Sequence, residues 1–459
     1  MALEAASPSA VISSGAGSGI PWVLGEPESR NLPLMERDRP MQAMHEENSM
    51  TIRIDGERLN RTLQELARIG ATPGGGVTRL AASDEDRAGR EQLNAWMAEA
   101  GLTVLIDDFG NMTGRRVGQT DEPPVILGSH CDSVVRGGKF DGALGVLGGL
   151  EVVRTLNDHD IATRRPIAVV NWTNEEGVRF EPAMQCSGAV TGRFTKADVY
   201  GRTDRQGLRF EDELRRIGYL GDEANRPLPA SAYLELHIEQ GPVLEAAGVP
   251  VGVVVGIVGI TWIEVTVEGQ SDHAGPSPMR LRHDALAAAA QIVSGVERIA
   301  LERDEIAVAT VGRLTVEPNI INTIPGKVTF SVDFRHPEPA VLEAQVKRLE
   351  DLAARVAEER GVRVSLNRFW TSEATPFDPN VVAEIERAVD RLGLPGHTLW
   401  SGAGHDAKYL ADVCPSGMIF VRSRGGLSHC EAEYSTPEDI EAGANVLLFG
   451  ALALAGHAP

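Results

Sequence analysis

The stretch that decides the fold is residues 167–177, which read IAVVNWTNEEG. Its first six residues, Ile167–Trp172, predict a buried strand that ends in a polar turn with two adjacent glutamates. A similar pattern occurs twice more. Pro124–Leu127 runs into GSHCD at 128–132, and Tyr233–Ile238 ends in HIEQG at 237–241. Three short strands that end in polar residues therefore organise the first half of the chain.

Amphipathic helices accompany these strands. The spacing of apolar residues predicts helices over Arg58–Ile69, over Asp84–Ala100 behind a Ser83 cap, and over Gly142–Leu156. Alternating strands and helices are typical of an α/β layer with a largely parallel sheet. Because sites in such sheets form beyond the carboxyl ends of the strands, we expect the three polar clusters to share one site.

The middle of the chain follows a different pattern. Trp262–Gly269, Val308–Val316 and Lys327–Arg335 alternate apolar and polar residues, and helices are predicted over Arg282–Leu301 and Pro339–Glu359. This β-α-β-β-α order is typical of a small α+β sandwich of antiparallel strands and helices. We therefore predict that a second, smaller domain is inserted into the α/β domain.

The predicted boundaries follow from these two patterns. Residues 50–255 and 372–459 form the two parts of an α/β/α catalytic domain with a mostly parallel central sheet, and residues 256–371 form the inserted domain. Residues 1–49 are rich in Ala, Ser, Gly, Pro and Met and have no clear period, so we expect a flexible N-terminal extension, with Met50 as a candidate native start.

Charge and composition exclude several functions. Lys and Arg number 44 and Asp and Glu 65, and the net charge of −21 repels nucleic acids and anionic membranes. No apolar run reaches the roughly 20 residues of a membrane helix. The four cysteines form no CxxC pair, which favours a reduced, cytoplasmic protein.

Histidines and carboxylates at strand ends and helix starts are the candidate metal ligands. Oxygen and imidazole ligands suit Zn²⁺, Mn²⁺, Co²⁺ or Ni²⁺. Asp132 follows His130 by two positions, so its carboxylate is predicted to accept the proton of the ring nitrogen that faces away from a metal. The set comprises His130, Asp132, Asp141, Glu175, Glu176, His237 and His429.

The adjacent pair Glu175 and Glu176 is the most informative feature of this set. Two carboxylates at one strand end repel each other unless a cation or a proton lies between them. If one binds a metal ion, the other is free to take a proton from water. Taken singly, a histidine is more often structural or solvated than a ligand, and a Glu-Glu pair is more often an exposed turn. The residues alone therefore leave both interpretations open.

The combined motifs are more specific than their parts. Together they resemble the metal-dependent amidohydrolases of ureido compounds: N-carbamoyl-L-amino-acid hydrolases, bacterial β-ureidopropionases and allantoate amidohydrolases, which are relatives of aminoacylases and glutamate carboxypeptidases. The resemblance runs from about residue 52 to 456. It rests on GSHCDS (128–133), GGKFDG (137–142), TNEEG (173–177), HIEQGP (237–242), HAGP (273–276), PNIIN (318–322), DFRH (333–336), SGAGHD (401–406) and SHCEAE (428–433).

The resemblance implies a role for each matching position. It implies two divalent ions per subunit, with His130 and His237 on one, Glu176 and His429 on the other, and Asp141 bridging both. Glu175 is then the general base for a water that attacks the ureido carbonyl. The inserted domain is implied to act as a lid and a dimerisation domain, which makes the protein a homodimer.

The substrate contacts are also implied by the resemblance. Arg335 lies on the polar side of its predicted strand, where a guanidinium would grip a carboxylate together with Asn322. His273 would stabilise the oxyanion from the partner subunit, and Gln240 would contact the ureido group. Without the resemblance, Arg335 is an ordinary solvent-facing strand residue and His273 a turn residue.

The predicted function is hydrolysis of the ureido C–N bond of N-carbamoyl-L-amino acids, or N-carbamoyl-β-alanine, to amino acid, CO₂ and ammonia. An allantoate or ureidoglycolate-type amidohydrolase is the nearest alternative, followed by an N-acyl-amino-acid hydrolase or peptidase. A binding protein without catalysis is the alternative from another class. Allantoate-cleaving relatives carry basic residues where this chain has Gly259–Trp262, and this apolar stretch favours an amino-acid side chain or a short alkyl linker.

Overall fold

The computed structural model describes residues 52–457, so the predicted extension over residues 1–49 lies outside the described residues. Within this range the chain forms sixteen strands. They are β1 (Thr103–Ile106), β2 (Met112–Arg116), β3 (Val125–His130), β4 (Ile167–Trp172), β5 (Ala232–Ile238), β6 (Val251–Ile257), β7 (Gly259–Glu268), β8 (Asp272–His273), β9 (Val308–Thr310), β10 (Leu314–Glu317), β11 (Thr323–Ile324), β12 (Lys327–His336), β13 (Arg363–Ser372), β14 (Thr375–Pro376), β15 (Gly396–Ser401) and β16 (Ser416–Val421).

The described residues also form twelve α-helices. The predicted Ser83 cap is confirmed, because the Ser83 hydroxyl accepts a hydrogen bond from the Asp86 amide. Within residues 52–457, none of the helices combines the length and the apolar character that a membrane span needs. The helices are α1 (Gly56–Leu66), α2 (Asp84–Glu99), α3 (Ala143–Asp158), α4 (Gln185–Val190), α5 (Lys196–Tyr200), α6 (Phe210–Ile217), α7 (Val243–Ala247), α8 (Ala285–Leu301), α9 (Pro339–Arg360), α10 (Pro379–Arg391), α11 (Ala407–Leu410) and α12 (Pro437–Leu454).

A nine-stranded sheet carries the predicted polar clusters. Its main order is β1-β2-β4-β3-β5-β16-β6-β14, and β15 pairs with β6. The neighbours β4, β3, β5 and β16 run parallel, while antiparallel pairs flank them. Val125 and Leu127 pack into the apolar core on one face, and Ile126 packs into the core on the other. The predicted α/β class with a parallel sheet centre is confirmed, since both faces are covered.

A second, five-stranded sheet lies within residues 259–372, and all of its pairs are antiparallel. Its core face carries Ile263, Val265 and Val267, which pack with residues of α8 and α9. This arrangement agrees with the predicted α+β insertion. The domain boundaries at 256 and 371 stay a prediction.

Two strands of this sheet differ from those predicted from the sequence. The strand predicted over Val308–Val316 is two strands, β9 and β10, because residues 311–313 leave the ladder and the two pieces pair with different parts of β12. Strand β13 was missed. It is a largely exposed edge strand with a register shift between Arg368 and Trp370, so its apolar pattern is weak.

Candidate active site

The three predicted polar clusters meet at one edge of the nine-stranded sheet. β3 ends at His130, which is paired with Trp172 at the end of β4. Glu175 and Glu176 follow β4 after the two residues Thr173 and Asn174. His237 is the penultimate residue of β5. Because β3 lies between β4 and β5 and all three run parallel, their carboxyl ends bring these side chains together.

Asp141 lies at the centre of the cluster. Its Oδ1 atom is 3.1 Å from His237 Nε2 and 3.7 Å from His130 Nε2. Its Oδ2 atom is 3.2 Å from His429 Nε2. The two oxygens of one carboxylate therefore face two separate histidine groups, which is the arrangement expected of a bridging ligand.

The two glutamates lie on opposite sides of this centre. Glu175 Oε2 is 3.5 Å from His130 Nε2, and Glu176 Oε2 is 3.5 Å from His429 Nε2. Of the three groups of candidate ligand atoms among the described residues, two share Asp141, and each is compact enough to hold an ion. They are His130, Asp141 and His237, and Asp141, Glu176 and His429.

The hydrogen bonds of two imidazoles favour a cation at this site. His130 Nδ1 lies 2.9 Å from the Asp132 carbonyl oxygen, and His237 Nδ1 lies 2.9 Å from the Ile238 carbonyl oxygen. A carbonyl only accepts, so each Nδ1 carries the hydrogen, and in the neutral ring the Nε2 lone pair faces the Asp141 carboxylate. The His237 Nε2 atom also accepts from the Gly142 amide at 3.2 Å. Lone pair and carboxylate repel each other unless positive charge lies between them, and this tautomer is the one that binds metal.

The pKa values of the same groups show how much negative charge the site holds. Burial lowers the pKa of His237, but the Asp141 carboxylate outweighs burial and the pKa is raised to about 9. Burial has the largest effect on the pKa of His130 and lowers it to about 4. Burial and then the neighbouring carboxylates raise the pKa of Glu175 well above its usual range. Carboxylates thus concentrate negative charge around His237, whereas burial disfavours a proton on His130.

The donor set fits divalent ions. Glu176 Oε1 is buried and has no hydrogen-bond partner among residues 52–457, so it is free to bind a cation. Imidazole nitrogens and carboxylate oxygens together suit Zn²⁺, Mn²⁺, Co²⁺ and Ni²⁺. The five predicted ligands are therefore brought together in a chemically suitable arrangement.

Asp132 supports the site differently from the predicted contact. Its main-chain oxygen, and not its carboxylate, accepts from His130 Nδ1, since the carboxylate oxygen is 3.9 Å away. The physical reason is that β3 ends at His130, so the strand alternation does not extend to Asp132. The carboxylate instead accepts from the main-chain amides of Glu175 and Glu176, at 3.3 Å each. Asp132 thus holds the turn that carries both glutamates.

Gln240 lies beside Asp141. Its Nε2 donates to Asp141 Oδ2 at 3.0 Å and to Ser428 Oγ at 3.2 Å. Its Oε1 is buried without a hydrogen-bond partner among the described residues. The amide is therefore oriented by its nitrogen, with an unused acceptor.

The remaining predicted substrate contacts lie away from this cluster. Arg335, on β12, donates to the Asp333 carboxylate and reaches the Gly402 carbonyl oxygen at 2.6 Å. His273 lies on β8, the exposed strand of the two-stranded ribbon of β8 and β11, and Asn322 immediately precedes β11. The Asn322 carbonyl oxygen accepts from Ala274 N. Between residues 52 and 457, the side chains of His273 and Asn322 have no hydrogen bond or ion pair with the five ligand residues.

Several buried polar residues around the site were not predicted. Glu235 accepts from Ser129 Oγ at 2.8 Å, from Tyr233 Oη at 3.0 Å and from Ala407 N at 3.0 Å. The His405 ring packs edge-on against His237, with centroids 4.4 Å apart. The signals were a glutamate inside an apolar strand, two residues before His237, and the quoted SGAGHD motif.

Comparisons with known proteins agree with this geometry. The chain is 44% identical over 401 residues to an N-carbamoyl-L-amino-acid amidohydrolase of Rhizobium meliloti, covering 87% of this chain and 96% of the relative. It is 35% identical over 392 residues to an allantoate amidohydrolase of Bacillus subtilis, covering 84% and 94%. A crystal structure of an amidase of the hydantoinase/carbamoylase family from Burkholderia multivorans has 50% identity and a TM-score of 0.86, covering 88% and 98%.

Residues 126–449 match the description "Peptidase family M20/M25/M40". Enzymes of that family use divalent metal ions, in keeping with the two groups of candidate ligands around Asp141. The chain belongs to peptidase family M20/M25/M40 and is a hydrolase of C–N bonds in linear amides.

Proposed function

We propose that this protein is a two-metal hydrolase that cleaves the ureido C–N bond of N-carbamoyl-L-amino acids, or of N-carbamoyl-β-alanine. The observation that carries the proposal is Asp141, whose two oxygens face separate histidine groups with Glu175 beside them. The relatives named as N-carbamoyl-L-amino-acid amidohydrolases support the choice of substrate.

His130 and His237 would hold one ion, Glu176 and His429 the other, and Asp141 both. Zn²⁺, Mn²⁺, Co²⁺ and Ni²⁺ all suit these ligands. When bound, such ions polarise a carbonyl oxygen and lower the pKa of water. The side chains would position the ions, with His130 and His237 buried and His429 half exposed to solvent.

Glu175 is proposed as the general base. It is only 7% exposed, its carboxylate faces His130, and its main-chain amide is held by Asp132. In this position it takes a proton from the attacking water and later delivers one to the leaving nitrogen. The amino acid leaves, and the carbamate that remains decomposes to CO₂ and ammonia.

Gln240, Arg335 and Asn322 are proposed to hold the substrate. The unused Gln240 Oε1 is suited to accept an N–H of the ureido group. Arg335 and Asn322 would bind the carboxylate, with the planar guanidinium offering two parallel hydrogen bonds. The hydrogen bond from Arg335 Nη1 to the Gly402 carbonyl oxygen supports this role, because it holds the guanidinium against the loop that precedes His405.

We further propose a homodimer in which His273 of one subunit serves the site of its partner. The support is the exposure of the ribbon that carries His273 and of the apolar residues around it. Large apolar side chains at a protein surface mark interaction sites when they cluster. Those near the ribbon are Met279, Leu281, Ile320 and Ile321.

The surroundings of Arg335 favour carbamoyl amino acids over allantoate. Ile260 is paired with Arg335 across β7 and β12, so an apolar side chain lies next to the proposed carboxylate contact. Allantoate has a second polar ureido group, which would lie poorly beside it. We also propose a cytoplasmic location, which the four free cysteines support.

A substrate panel tests the proposal. The metal-loaded protein is incubated with N-carbamoyl-L-amino acids, N-carbamoyl-β-alanine, allantoate and N-acetyl-L-amino acids, and both ammonia and free amine are measured. We expect equal release of ammonia and amine from the carbamoyl compounds and little turnover of the others. Faster turnover of allantoate would assign the alternative function, and amine release from N-acetyl compounds alone would contradict ureido hydrolysis.

A further inference from the structure

Glu433 is a buried carboxylate for which the proposed chemistry has no role. It is 2% exposed, and its Oε1 accepts from the main-chain amides of Phe140 at 3.0 Å and Asp141 at 3.1 Å. Its Oε2 accepts from Ser428 Oγ at 2.9 Å. One side chain thus connects the loop that carries Asp141 with the loop that carries His429.

The loop around Asp141 is shaped to admit this carboxylate. A Cβ atom at Gly138 would lie 1.9 Å from the Glu433 carboxyl carbon, so only glycine leaves the necessary space. Ser428 Oγ is also 3.3 Å from Asp141 Oδ2. Glu433 therefore accepts a hydrogen bond from the main chain of Asp141 directly, and it is connected to the Asp141 carboxylate through Ser428.

His429 is the candidate ligand with the least support of its own. Its side chain is 52% exposed, and it lies in a loop, with a positive φ of 55°. The other two histidine ligands are buried and lie on strands. The position of His429 relative to Asp141 thus depends strongly on how the two loops are joined.

We propose that Glu433 is a positioning residue that sets the separation of Asp141 and His429 and so retains the ion held by Glu176 and His429. This inference rests on the proposed two-metal function. Residues behind metal ligands change metal affinity by about 10- to 100-fold when they are removed. Loss of Glu433 therefore weakens binding of the ion at Glu176 and His429 more than binding of the ion at His130 and His237.

Glu431 offers a matched control within the same loop. Its carboxylate binds Thr72 Oγ1 at 2.5 Å and Arg136 Nη2 at 2.7 Å. It anchors the loop to Thr72 and to Arg136, a residue of the loop that carries Asp141, but it does not contact Asp141 itself. A general loosening of the loop would therefore follow from changing either glutamate, whereas the proposed effect belongs to Glu433.

The test uses the full chain with Glu433→Ala, Glu433→Gln and Glu431→Ala. After dialysis, the Zn²⁺ content per subunit is measured by mass spectrometry, and each dissociation constant is measured by chelator competition. We expect two ions in the unchanged protein and in Glu431→Ala, but one in Glu433→Ala, with the weaker dissociation constant raised about 10- to 100-fold. Glu433→Gln keeps two, because its amide oxygen still accepts from both main-chain amides and its nitrogen reaches Ser428.

Equal zinc affinity in Glu433→Ala and the unchanged protein would overturn the inference, as would an equal loss in Glu431→Ala. If Glu433→Ala does not fold, Ser428→Ala removes the contact of Glu433 Oε2 with the His429 loop, together with the contacts of Ser428 to Asp141 and Gln240, and it must weaken binding of the same ion. Unchanged affinity there overturns the inference. Fewer than two ions in the unchanged protein would instead contradict the proposed function.

Discussion

At the scale of single residues, the site depends on charges that cannot coexist without compensation. Asp141 and Glu175 both lie near His130, Asp141 and Glu176 both lie near His429, and the Asp132 carboxylate accepts from the main-chain amides of the two glutamates. Burial makes each uncompensated carboxylate costly. Divalent ions relieve this cost and leave Glu175 as the proposed base.

Glu175→Gln is expected to abolish most turnover and to keep the metal ions. The amide preserves the shape of the side chain but has no basic oxygen, so kcat falls by about 10²- to 10⁴-fold. Ammonia release measures the rate, and metal analysis of the same sample provides the control. A variant that keeps wild-type kcat would remove Glu175 from the proposed chemistry.

Gly142→Ala tests how closely the chain approaches a candidate ligand. Gly142 has a φ of 63°, and a Cβ there would lie 2.4 Å from the His130 ring. We expect a loss of about 1–3 kcal/mol in stability together with weaker metal binding. Gly192→Ala is the control, because Gly192 has a φ of 85° and an added Cβ would meet no atom within 4 Å. Equal metal affinity in both variants would show that His130 tolerates the added methyl group.

At the scale of elements, the sequence was most informative where strands are buried on both faces. β4 covers Ile167–Trp172 as predicted, because a continuous apolar run has no other stable place than the sheet centre. The exposed β13 and the break between β9 and β10 escaped, since solvent-facing strands carry little apolar signal. Exposed edge strands are thus the elements that the apolar pattern of the sequence predicts least well.

The candidate site divides in a similar way. The meeting of the three polar clusters was predictable because parallel strands deliver their carboxyl ends to one edge. The assignment of five ligands, with His429 among them, came from the family resemblance. The contacts of Asp132 were not predictable, because they depend on β3 ending at His130. Glu433 escaped too, since its partners are main-chain amides almost 300 residues away, at separations of 293 and 292.

Arg335→Ala tests the strand β12 as the carrier of a substrate contact. Loss of a charged hydrogen-bonding group is expected to raise KM about 10- to 100-fold while metal content stays the same. Arg313→Ala is the control, because Arg313 pairs with Glu264 on an exposed part of the same sheet. An unchanged KM for Arg335→Ala would contradict the carboxylate contact.

At the scale of the whole molecule, the exposed His273 ribbon makes a shared site testable. A dimer assembled from Glu175→Gln and His273→Ala subunits has one site with both changes and one with neither. Random mixing of the two inactive variants should therefore restore about a quarter of wild-type activity. Mixtures that stay inactive after verified subunit exchange would place His273 outside the partner's site.

The most direct test of the central claim is anomalous diffraction from crystals of the protein loaded with Zn²⁺ or Mn²⁺. We expect two anomalous peaks per subunit on either side of Asp141, one at His130 and His237 and one at Glu176 and His429. A single peak, or peaks away from these five side chains, would contradict the claim.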